Sequence, residues 1–443
     1  MWKSARRLPG GGIIIRMQKV SGWIEKEPYW TFGLLLGFLP VLAGLIFRTY
    51  TYSVAPFWLE NLRQIDVLFV AFEIGVIFLA RERGMKYLEA LRELSLILRL
   101  AALLFILTFW WSSLFVSQAP ALAMFKIMVW IVHIAFGLAI YHLAKRVTFA
   151  DIGAVSKGMF WGLCAYTPIL FLHFYFAPPG SEVSGGKIIW ASALPGYLSV
   201  RLLGFYAAAL SVLALALLWG RQRFERADLW LYCMLILSLT VTFWSGTRSG
   251  VYAILIAYVL ISFVCRSLPS KFWILTLVLG STAAFWLSEQ FYQPTREFGL
   301  LRLGGNEGSN FVTGRDLIWT FAIERIAERP FFGWGEAAIV WLHKNGAFYQ
   351  QPHNALLQML LHWGAIATIS AILVLSMIAR TIILEIKKVR TLLPLVAVLL
   401  ALTAMSMVDG ILYHPRIAIL VIMTVASSMA IIRKARSANE QIA

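Results

Sequence analysis

Charge is scarce in this chain, and cysteine is scarcer. Asp, Glu, Lys and Arg make up 14% of 443 residues, against about a quarter in a soluble domain. The three cysteines, Cys164, Cys233 and Cys265, all lie in apolar runs. No CxxC and no Cys/His cluster exists, which argues against a zinc site or a disulfide framework. There is no P-loop and no GxGxxG, so neither ATP nor a dinucleotide is expected. The acids of the one long polar interval, Glu297, Glu307, Asp316, Glu324, Glu328 and Glu336, form no DxD and no close pair. Metal-dependent transfer and paired-carboxylate hydrolysis are therefore not expected, and no cofactor is called for.

Apolar residues are abundant, at 60%. They come in continuous runs of the length that crosses a bilayer as a helix, not in the alternation of a membrane β-barrel. The expected fold is an all-α polytopic membrane protein with about twelve spans: 29–47, 65–80, 94–116, 121–144, 158–177, 197–219, 228–244, 249–265, 271–290, 354–379, 392–413 and 415–432. The chain divides into a tail (1–28), nine spans (29–290), a polar loop or cap (291–353), three spans (354–432) and a second tail (433–443). Residues 1–28 are basic and lack an apolar core with a small-residue cleavage site, so they read as a cytoplasmic leader. No internal repeat is present.

The formal charge of +17 raises the question of nucleic acid, but its placement gives another reason. Lys and Arg crowd the two tails and every second connection, with twenty-five such residues on one side. The opposite short connections hold five, Arg48, Arg63, Lys187, Arg248 and Arg416. By the positive-inside rule both termini face the cytoplasm, and the 293–353 segment faces outward, toward the periplasm in a Gram-negative cell. No nucleic-acid partner is expected.

The outer segment has local patterning. Thr313 is placed to cap a helix beginning near Gly314-Arg315-Asp316, with Trp319, Ala322, Ile323 and Ile326 as its apolar stripe. Pro330 should end it, Gly333-Trp334-Gly335 should turn, and a short second helix is expected from Glu336 to His343. The segment reads as a helical cap over the membrane face.

The topology brings scattered residues to one outer cavity: Arg201 at the start of the sixth span, Arg248 in Gly246-Thr247-Arg248-Ser249-Gly250, and Arg315 in the cap. His353 and Asn354 follow at the cap's end, with Asp409, His414 and Arg416 around the last outer turn. A lipid-facing charge costs roughly 2.5–3.5 kcal/mol or more, so such residues face protein or a cavity. Taken singly, each has a plainer reading. Arg201 could reach the interface or pair with Asp409, and Arg248 could be an interfacial anchor. Arg315 could be an exposed helix-start residue and His353 a structural histidine. Together, several Arg suit a multiply charged anion such as a diphosphate, which they match with bidentate bonds. His353 is the best general base, Asn354 a cap or ring-orienting partner, and His414 the nearest rival. His133, His142 and His173 fit packing roles, and His343 and His362 lack a polar companion motif.

These motifs, with Pro330-Phe331-Phe332-Gly333-Trp334-Gly335 and Pro352-His353-Asn354-Ala355-Leu356-Leu357 in this order, resemble the O-antigen ligase/polymerase family of membrane glycosyltransferases. The resemblance implies a multi-spanning (GT-C type) enzyme of the bacterial inner membrane. Its donor would be an undecaprenyl-diphosphate-linked glycan, and in the ligase branch its acceptor would be a lipid A–core sugar. Arg248 and Arg315 would hold the diphosphate, with Arg201 in the family's sixth-span position, and His353 would activate the acceptor hydroxyl without metal and with inversion. Asp409 fits by position only. Relatives often carry Asn-Pro-Asn after the sixth-span Arg, where this chain has Ala207-Ala208-Ala209. A polymerase or a protein O-oligosaccharyltransferase shares the motifs. A transporter or lipid flippase is the alternative of another class, disfavoured by the absence of repeats and the gathering of charge at one face. A monomer in membrane lipid is expected.

The topology is checked with single cysteines at Gly308 and Ala438 in intact spheroplasts. An impermeant thiol reagent should reach only Gly308, and labelling at Ala438 would sink the arrangement.

Overall fold

The computed structural model describes residues 28–46, 67–92, 94–176, 183–184, 187–188, 194, 196–197, 200–291, 300, 315–338, 342 and 351–440. Fourteen α-helices run through the described residues. They are α1 (Pro28–Ile46), α2 (Val67–Glu82), α3 (Tyr87–Arg92), α4 (Leu96–Trp111), α5 (Pro120–Leu143), α6 (Phe149–Phe176) and α7 (Val200–Leu217). Then follow α8 (Leu229–Trp244), α9 (Arg248–Cys265), α10 (Lys271–Gln290), α11 (Arg315–Glu328), α12 (Ala355–Glu385), α13 (Leu392–Val408) and α14 (Pro415–Glu440). A π-helical turn, Ser112–Val116, extends α4, and one two-residue antiparallel pair, β1 (Val183–Ser184) with β2 (Lys187–Ile188), precedes α7.

Every expected span coincides with a helix. Eight helices are long and apolar enough to cross a membrane, and Tyr29–Ala43 and Leu392–Val408 are shorter apolar ones. Their outer faces are apolar: Leu96, Ile97, Leu100, Leu103, Leu104 and Leu107 of α4 are all exposed. A polytopic helical membrane protein follows, since apolar side chains on the outside of a bundle need lipid for solvent. Several ends differ: the helix of the 392–413 span stops at Val408, while α12 runs on to Glu385. α6 begins at Phe149, nine residues before the expected span, and α14 carries on to Glu440 through the basic tail. Hydropathy marks where the bilayer stops, not where the backbone stops being helical.

α7 is the central post. All but its first-turn Arg201 are buried among its residues, and α8, α9, α13 and α6 pack around it. The Ala207-Ala208-Ala209 run supplies thin side chains for this crowding; a β-carbon at Gly250 of α9 would come within 2.9 Å of the Ala208 Cβ. At the edge, α1 and α6 meet through two glycine pairs at four-residue spacing, Gly33 and Gly37 against Gly158 and Gly162. A β-carbon on Gly162 would overlap the Gly37 backbone, so the two helices touch main chain to main chain. Such seams hold helices together in lipid by close packing, where the hydrophobic effect offers no preference.

The cap is joined to the bundle by its backbone. Within α12, Gly364 has φ 72° and ψ 178°, a conformation that breaks the helical ladder and is nearly confined to glycine. The amides of Ala365 and Ile366 lose their helical acceptors and donate instead to Pro330 O (2.7 Å) and Phe331 O (3.3 Å). The freed carbonyls of Leu361 and His362 accept from Trp334 N (2.8 Å) and Gly335 N (2.9 Å). Four bonds from the 330–335 loop thus close the gap, with Gly333 and Gly335 in left-handed conformation (φ 64° and 87°). The loop is spliced into α12 and does not merely lie over the bundle.

α11 starts at Arg315 and stops before Pro330, as its sequence suggests. Thr313 and Gly314 lie outside the described residues. The buried face differs from the expected stripe. Phe321 and Ala322 are buried and Ile326 packs with them, but Ile323 is 56% exposed. The face turns because Phe321 is drawn toward Leu361 and Ala338. The expected second helix is, where described, a turn through Glu336, with Ala337 at φ 64°; His343 lies outside the described residues.

The α1–α6 seam makes a contrast testable by thermal unfolding in detergent. Gly162→Ala should lower the midpoint by several degrees, since overpacking of this kind costs about 1–3 kcal/mol. Gly75→Ala on α2, where a β-carbon meets nothing within 4 Å, should not. Equal midpoints would refute the seam.

Candidate active site

The site is assembled at the end of the bundle where α7, α9, α12 and α14 begin and α13 ends. Arg201 opens α7, and Gly204 lies one turn on. A side chain there would overlap the hydroxyls of Ser245 and Thr247 in the α8–α9 turn. Those hydroxyls are 2.7 Å apart, and Ser245 Oγ also donates to Thr242 O (2.9 Å). With Gly246 at φ 64°, the turn reverses tightly and starts α9 on Arg248 and Ser249. Arg248 Nε donates to Leu300 O at 3.2 Å.

One carboxylate lies at the meeting point. Asp409, just past the end of α13, is 5% exposed. Its Oδ2 accepts from Ser249 Oγ at 2.5 Å and its Oδ1 from Arg315 Nη2 at 2.6 Å. His353 Nδ1 stands 3.8 Å from the same Oδ1. Ser249 of α9 and Arg315 of the cap therefore share one anion from the end of α13, with His353 at the start of α12 beside it. Ser249 was visible in the sequence only as a small neighbour of Arg248; its position one residue on, inside the same glycine-bounded turn, was the available signal. Asp409 itself had only its topological position to recommend it, because its partners lie 94 and 160 residues away.

His353 is fixed from both sides. Its own backbone is left-handed, φ 53°, an uncommon state for a residue with a side chain and one that tends to occur at functional positions. Before it, Pro352 O accepts from Trp319 Nε1 of α11 (2.8 Å). After it, Asn354 caps α12, its Oδ1 accepting from Leu357 N (3.0 Å), while its Nδ2 donates to Met407 O (2.8 Å). Asn354 is thus a cap and a tie to α13, not a partner of the ring. A third of the His353 side chain, 34%, stays exposed, enough to meet a substrate.

Burial is the largest influence on the imidazole and pushes its pKa down; Asp409 pulls it up, and Arg315 and then Arg201 push it down, leaving it at about 4. Arg201 is close enough to be felt there. Like-charge repulsion from the two arginines acts on the ring, but behind loss of water. His414 is driven lower, to about 3, by burial, then by Arg416, Lys126 and His353. Both rings are neutral near pH 7, and His353 is the one beside the carboxylate. A neutral imidazole next to an anion, with guanidinium groups around it, can accept a proton while the cations hold a polyanion.

Arg416 has a different surrounding. It is 2% exposed, sits over the rings of Tyr197 (4.5 Å) and Phe69 (4.9 Å), and donates from Nη2 to Gly196 O at 3.1 Å. It fastens α14 to the segment before α7, and reaches the site through His414. Among the other histidines, His133 bonds Glu73 at 2.7 Å in the bundle interior, and His362 lies 3.8 Å from Glu336. Glu336 is the polar companion of His362 that sequence spacing did not reveal.

Residues 233–372 match a family model described as O-antigen ligase. The match runs from within α8 into α12. It includes Arg248, Ser249, Arg315, His353, Asn354 and Gly364, and leaves Arg201, Asp409, His414 and Arg416 outside. No curated protein matches the chain.

Proposed function

The chain carries an O-antigen ligase family domain, and from that premise we propose that it is a glycosyltransferase that moves a glycan from undecaprenyl diphosphate to a sugar hydroxyl of lipid A–core, on the periplasmic face of the bacterial inner membrane. The observation that carries this reading is the meeting of His353, Asp409 and Arg315, with Arg201 and Arg248 at the same end of the bundle.

The step is a single displacement. His353 takes the proton of the acceptor hydroxyl as its oxygen forms a bond to the anomeric carbon. The bond from that carbon to the diphosphate oxygen breaks, and its electron pair leaves with undecaprenyl diphosphate. One displacement inverts the anomeric configuration, and no covalent enzyme intermediate is needed. Nδ1 faces Asp409, so the proton is taken at Nε2, and the carboxylate stabilises the imidazolium as it forms. Arg248, Arg315 and Arg201 neutralise the departing diphosphate. Arg315 spends one donor on Asp409 and keeps the others, which a lysine could not do with the same geometry. A pKa of about 4 is low for a base at neutral pH. The donor's negative charge, set beside the ring and its arginines, raises it toward the working pH only when substrate is bound.

A purified-enzyme transfer assay tests the assignment. His353→Ala should lower turnover by about 10²–10⁴-fold while undecaprenyl diphosphate still binds, and His414→Ala should keep substantial activity. Arg248→Lys and Arg315→Lys should each weaken transfer with folding intact. The opposite behaviour of the two histidine variants would make His414 the base, and near-normal turnover in both arginine variants would reject the diphosphate site.

A further inference from the structure

Two amide side chains reach the site with oxygens that have no partner among the described residues. Gln351 lies two residues before His353. Gln358 lies one turn into α12, where its backbone N–H donates to Asn354 O at 2.9 Å. Their Oε1 atoms are both buried, and neither accepts a hydrogen bond from the described residues. They converge on Gly410, the residue after Asp409. A β-carbon at Gly410 would overlap Gln351 Oε1 and lie 3.4 Å from Gln358 Oε1. The missing side chain at 410 is what gives the two amides room beside the carboxylate.

A buried carbonyl oxygen without a donor has given up its water and received nothing back. Two of them side by side, next to a proposed base, call for a ligand that supplies donors. A phosphate meets only half of the need: it accepts from the amide nitrogens and leaves both orphaned oxygens without a donor, and the arginines are where it belongs. An acyl or polyprenyl chain does not qualify either, since it has no donor. A pyranose does: each hydroxyl donates once and accepts from the amide N–H groups, and neighbouring hydroxyls match the spacing of an amide's two ends. We propose that Gln351 and Gln358, around Gly410, form a subsite for the hydroxyls of a sugar held against His353. This rests on the transfer reading above and assigns the sugar end of the substrate, as the arginines assign its diphosphate end. They are positioning and specificity residues, because they orient the ring and touch no breaking bond.

The test uses the full-length enzyme in nanodiscs with undecaprenyl diphosphate–N-acetylglucosamine as donor probe and rough lipopolysaccharide as acceptor. Gln351→Met and Gln358→Met should each reduce kcat/KM about tenfold or more, while binding of bare undecaprenyl diphosphate and the unfolding midpoint stay as in wild type. Deoxy versions of the donor sugar and of the terminal acceptor sugar locate the contact. One of them should cost the wild type about tenfold and the Met variant nothing further; the donor or acceptor series in which this happens identifies the sugar. Gly410→Ala should reproduce the loss. Wild-type kcat/KM in both Met variants overturns the subsite, as does an equal further loss on every deoxy substrate. A wild type that neither transfers nor binds undecaprenyl diphosphate would sink the transfer reading. The subsite then stands or falls on whether free core oligosaccharide raises the unfolding midpoint of the wild type more than that of the variants.

Discussion

A carboxylate buried near the edge of a bilayer has to be compensated, and the structure around Asp409 follows from that requirement. Taking an ion out of water costs several kcal/mol unless charge and hydrogen bonds replace the solvent. Here the replacement comes from far apart in the chain: Ser249 from the start of α9 and Arg315 from the cap, with His353 close by at the start of α12. Neither α9 nor the cap can shift without stripping the anion of a partner. The cap is thereby locked over the site by a charge as well as by its backbone.

The second constraint is the break in α12. A helix interrupted at Gly364 exposes two amides and two carbonyls, and apolar surroundings do not tolerate them unpaired. The 330–335 loop satisfies all four, so the cap and α12 form one continuous hydrogen-bonded unit. This explains why the Phe-Phe-Gly-Trp-Gly stretch carries glycines at 333 and 335. A β-carbon at Gly333 would press on the His362 carbonyl and the Gly364 amide, and one at Gly364 on the Phe331 carbonyl. What reads in the sequence as a helix stop and a turn is a joint. Its contribution is to set α11, and through Trp319 the residue ahead of His353, at a fixed height over the membrane end of the bundle.

Much of this was legible before the structure. Long apolar runs give helices in a bilayer almost without ambiguity, so all twelve intervals fall on helices, and the helix start at Arg315 and stop before Pro330 follow from local rules. Proximity of Arg201, Arg315 and His353 followed from topology, because alternate ends of successive spans share a face. The details that depend on partners were not legible. Glycine seams such as Gly37 with Gly162 show only when two helices are laid together. The backbone splice at Gly364 has no periodic signature, and the buried side of α11 is decided by Leu361, not by its own spacing. Asp409 could be named by its topological position alone, since its importance lies in residues remote in sequence.

The most direct measurement of the account is the pH dependence of transfer by wild type and by Asp409→Asn. With His353 depressed to about 4 in the free protein, kcat/KM should hold its value down to roughly that pH, because the base works above its pKa and is lost as protonation sets in below it. The acid limb of kcat, which reports the substrate complex, should lie at higher pH. In Asp409→Asn the carboxylate no longer lifts the ring, so the kcat/KM limb should move lower still while the rate at pH 7 falls. A wild-type kcat/KM limb near 6.5, or an Asn variant with unchanged rate and unchanged limb, would contradict the placing of His353 and Asp409 at the centre of the reaction.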